Sequence, residues 1–69
     1  MLDEAEVEAL KARIETLTVE HRDLDDAIRA LEGAQSVDFL RLRRLKKRKL
    51  QLKDAIARLR SRMIPDLDA

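Results

Sequence analysis

Cysteine, tryptophan and tyrosine are absent from this 69-residue chain, and glycine, proline, phenylalanine and histidine each occur once. Without cysteine, no disulfide and no thiolate metal site can reinforce so small a fold. One glycine and one proline leave few turns, which argues against the turn-rich, many-stranded architectures. A single aromatic residue excludes an aromatic core and the stacking platforms on which single-stranded nucleic acid is commonly held. No uninterrupted apolar run approaches the ~20 residues of a membrane span, and the acidic start MLDEAEVEAL does not resemble a signal peptide, so no transmembrane segment and a cytoplasmic setting are expected.

Catalysis has equally little to work with. There is no cysteine nucleophile and no glycine-rich phosphate loop, and the hydroxyls of Thr16, Thr18, Ser36 and Ser61 have one histidine to share. That histidine lacks the clustered partners zinc requires. Carboxylate neighbours such as Asp25 and Asp26 fall on an acidic helix face, where solvation accounts for them. A non-enzyme is expected, with no cofactor, no metal and no small-molecule substrate.

What the chain does contain is alanine, leucine and charge, with 42% of residues charged. This is the composition of long helices. Residues 1–32 hold ten acids against four bases, and residues 33–69 hold eleven bases against four acids, so a formal net charge of +1 conceals two halves of opposite sign. Such asymmetry reads either as self-pairing or as a tethered tail for nucleic acid or membrane.

Apolar residues mark out two seams. In the first half they fall at Val7, Leu10, Ile14, Leu17, Leu24, Ile28 and Leu31, with His21 in the one gap; in the second at Leu42, Leu45, Leu52, Ile56, Leu59 and Met63, with Lys49 in the gap. Both alternate spacings of three and four, the signature of coiled-coil helices. Asp3 is placed to cap the first helix with Glu6 three residues on, Gly33 to end it in the left-handed conformation, and Asp38 or Ser36 to cap the second. Pro65 limits the second helix. The boundaries expected are helix 1 over about residues 3–32, a loop over about 33–37, helix 2 over about 38–63 and a tail over 64–69.

Folded back at the loop, the two seams interlock. Leu31 faces Leu42, Ile28 faces Leu45, Leu24 faces Lys49, His21 faces Leu52, Leu17 faces Ile56, Ile14 faces Leu59 and Leu10 faces Met63, and in every pair the two residue numbers add to the same total. An unbroken register across a short loop predicts an all-α fold: an antiparallel two-helix coiled-coil hairpin, in one domain. A lone hairpin of this size buries little, so assembly into a four-helix bundle or a higher oligomer is expected.

Three groups of residues are candidates for function. His21 and Lys49, in neighbouring layers, form a polar core that fixes register, with Asp25 expected near Lys46 and Glu20 near Lys49 or Arg48; a pH switch at His21 is the alternative. Phe39, Leu50, Ala57 and Ile64 share one side of helix 2 and are candidate oligomer contacts, while Val19 lies with Ala5, Ala9 and Ala12 on the outer side of helix 1. Seven of the nine residues from Arg41 to Lys49 are basic. Of these, Arg41, Arg43, Arg44, Lys47 and Arg48 avoid the seam and are candidate contacts to a nucleic-acid backbone.

The pattern H-x-x-L-D-x-x-I from His21, followed by L-K-K-x-K-L-x-L-K-D-x-I from Leu45, spans residues 21–56 and resembles the YdcH-like family of small bacterial proteins. The resemblance implies an antiparallel helical hairpin in a bacterial cytoplasm, with no assigned molecular activity. It also implies that His21, Asp25, Lys46, Lys49, Lys53 and Asp54 occupy motif positions. The functional expectation is therefore a self-associating protein-interaction or scaffold module, partnered by itself or by another protein, with nucleic-acid backbone binding as the alternative.

Overall fold

Two α-helices account for most of residues 2–63, which the computed structural model describes: α1, Glu4–Glu32, and α2, Phe39–Met63. At the start of α1 the Asp3 backbone is extended and its carboxylate accepts the Glu6 N–H at 2.7 Å. This satisfies one of the amide donors a helix leaves unpaired at its beginning, and the acidic Glu4 and Glu6 complement the positive end of the helix dipole. Asp38, rather than Ser36, does the same for α2, its Oδ1 accepting the Arg41 N–H at 3.0 Å.

Gly33 departs from expectation. It ends α1 at φ −85°, ψ −2°, in the right-handed region, with its N–H donating to the Arg29 carbonyl at 3.1 Å. The Ala34 N–H then reaches the Leu31 carbonyl at 3.3 Å, so the helix runs out through a right-handed turn. The absence of a Cβ is not needed there: one placed on Gly33 would meet the Arg29 carbonyl at 3.5 Å, an ordinary contact.

The helices pack against each other as an antiparallel hairpin. Leu10, Leu17 and Ile28 of α1 and Leu42, Leu52 and Ile56 of α2 are buried, and every one is a seam residue. Leu52 is the most enclosed, at 1% exposure. Around Leu17, Leu52 and Ile56 lie the half-buried Ile14, Leu24, Ala55 and Leu59, so the facing pairs Leu17 with Ile56 and Ile14 with Leu59 meet in one cluster. Thr16 and Thr18 donate their hydroxyls back to the carbonyls of Ala12 and Ile14, four residues earlier, and take no part in the seam. Among the described residues no helix is long and apolar enough to cross a membrane.

Candidate interaction surface

The polar layer sits where the two seams lapse. Lys49 occupies a core position of α2 but its long stem carries the ammonium sideways, and Nζ donates to Asp25 Oδ1 at 2.5 Å. Arg29, one turn along α1, reaches the other carboxylate oxygen of Asp25 at 3.1 Å. The hydrogen bond from Lys49 is the main reason the Asp25 carboxyl is held below its ordinary value; the charges of Arg29, Lys49 and His21 act in the same direction, and partial burial opposes them. Lys46 is not the partner of Asp25. It pairs with Glu32 at 3.2 Å, while Arg48 pairs with Glu20 at 3.0 Å. Lys46 and Arg48 are two residues apart and leave α2 on opposite flanks, so the hairpin is strapped on both sides of its seam.

His21 is half-buried in the same region. Its Nε2 is fully enclosed and has no hydrogen-bond partner among the described residues. With Thr18, Lys49, Lys53, Ile56, Ala57 and Arg60 it lines a shallow groove of about 440 Å³ along one flank of the hairpin.

On the outer side, α2 presents a face both apolar and cationic. Phe39 is 76% exposed and Leu50 67%. Ala57 is also exposed, and Ile64 lies outside the described residues. Leu40, at 60%, belongs to this surface although sequence reasoning passed over it. Its place two residues before the seam residue Leu42 already marks it as outward-facing, which was the signal available. Arg41, Arg43, Arg44 and Lys47 are exposed and make no ion pair among the described residues, unlike Arg48. On α1 the exposed large apolar residue is Val19, at 47%.

Among the described residues no group of three or more His, Cys, Asp or Glu side chains is placed to hold a metal. A family described as a protein of unknown function, DUF465, matches residues 14–60, which take in both helices, the loop and the whole polar layer. The chain belongs to the DUF465 family. YdcH-like proteins are members of it, so the kinship suggested by the motif of residues 21–56 holds. Comparison with curated proteins and with solved structures finds no match.

Proposed function

We propose that this DUF465 protein is a non-enzymatic interaction or scaffold module whose first partner is another copy of itself. The observation that carries the reading is the outer face of α2, where Phe39, Leu40 and Leu50 stand in water at 60–76% exposure while the core holds six buried apolar side chains among the described residues. Large apolar groups left in line on a small helical protein mark a surface that another chain covers, and a chain this short gains most from the burial that a second copy supplies. Sedimentation velocity over a wide range of concentration tests it. Growth of a dimer or larger species with concentration is expected; a fully helical chain that stays monomeric throughout overturns the proposal.

One observation favours a second reading, the binding of nucleic-acid backbone. Arg41, Arg43, Arg44 and Lys47 project within two turns of α2 without an acidic partner among the described residues, as a phosphate-tracking surface requires. Retention on RNA or DNA that falls steeply with added salt, and is lost when Arg43, Arg44, Lys47 and Arg48 become glutamate, would support it. No retention at low salt eliminates it.

A further inference from the structure

We infer that the α2 face of one copy docks on the acidic outer face of α1 of a second copy, with Leu50 of one against Val19 of the other. This rests on the self-association proposed above and adds which surface meets which.

Charge decides the pairing. Over its 25 residues α2 carries eleven bases and one acid, and α1 carries nine acids and four bases over 29. Across the hairpin, among the described residues, only Lys46, Arg48 and Lys49 are neutralised, by Glu32, Glu20 and Asp25. Arg41, Arg43, Arg44, Lys47 and Lys53 are left over on α2, and on α1 Glu15, Asp23 and Asp26 outnumber the equally unpaired Arg13 and Arg22, none of them with an ion-pair partner among the described residues. Two α2 faces brought together would set cation against cation, which works against a symmetric contact through that face. An α2 face laid on α1 of the next copy sets the unused cations against the unused acids.

The apolar centres match in the same way. Leu50 is flanked on its own helix by Lys47 three residues before it and Lys53 three after. Val19 is flanked by Glu15 four residues before it and Asp23 four after. Residues three and four apart on a helix are surface neighbours; counting Lys46 and Asp54 around Leu50 and Arg22 around Val19 as well, the surroundings of Leu50 are net positive and those of Val19 net negative. The contact is heterologous: each copy offers one face and uses the other.

Two exposed-site variants test this, Leu50→Glu and Val19→Arg, each checked by circular dichroism for unchanged helicity. Leu50→Glu spoils the α2 face alone and Val19→Arg spoils the α1 face alone. Each by itself should associate at least about tenfold more weakly than the parent, as expected for losing one large apolar contact. Mixed in equal amounts they should re-form a one-to-one pair and go no further, since each copy retains one intact face. If Val19→Arg associates as the parent does while Leu50→Glu does not, or if the mixture stays monomeric, this pairing is overturned and self-association through α2 alone remains. If the parent chain is monomeric at every concentration, the self-association reading fails first.

Discussion

Replacing His21 with leucine should make the hairpin more stable. His21 fills the gap in the α1 seam, beside Lys49 and Ile56, and its Nε2 is buried without a hydrogen-bond partner among the described residues. An unsatisfied buried polar atom costs roughly 1–3 kcal/mol, and an apolar group of similar size in its place removes that cost. A domain of this length shifts its midpoint by about 4–8 °C per kcal/mol, so His21→Leu should raise Tm by roughly 5–20 °C. The measurement is a thermal melt followed by far-ultraviolet circular dichroism, parent and variant at matched concentration, because a self-associating protein melts at a concentration-dependent temperature. His21→Ala serves as a control that lifts the polar penalty without adding packing. A Tm for His21→Leu equal to or below that of the parent would refute the reasoning and show that the imidazole contributes more as a polar group than it costs.

Gly33→Ala should be stabilising by about 0.4–1 kcal/mol, because the glycine lies in the right-handed region and alanine reduces the freedom of the unfolded chain; chemical denaturation reads the sign, and a loss of stability would mean a left-handed helix end after all. For Asp25 the sign follows from a folded-state value held below the ordinary carboxyl value of 3.8. Its contribution is fully present above the unfolded value and is lost as pH falls through the lower folded value. The difference in Tm between the parent and Asp25→Asn should therefore be level above about pH 5 and shrink on acidification below 3.8; a difference that ignores pH would remove Lys49 and Arg29 as its cause.

The hairpin itself was legible because two independent seams had to agree: once Leu17 is set opposite Ile56, every other facing pair follows from the loop. The helix starts were legible too, since Asp3 and Asp38 act through short side chains on amides three residues away. What resisted reading depends on where long side chains end. Lys46 and Lys49 both have stems of four carbons, and sequence spacing fixes where each leaves the helix but not where its ammonium arrives. Lys49 swings out of the core to Asp25, and Lys46 leans toward the loop and Glu32. Gly33 misled for a related reason: glycine is the residue that can turn left-handed at a helix end, and having the capacity did not mean using it.

Among the described residues, the three bonds that tie one helix to the other by charge all join residues 20–32 to residues 46–49, in the half of the hairpin nearer the loop. Toward the free ends, among the described residues, only side chains such as Leu10, Ile14, Leu17, Ile56 and Leu59 hold the arms together. The molecule is built like a pair of tweezers, hinged by covalent chain and ionic clasps at one end and closed at the other by oil alone. Urea and cold should part the tips first, whereas added salt should loosen the hinge and leave the tips shut.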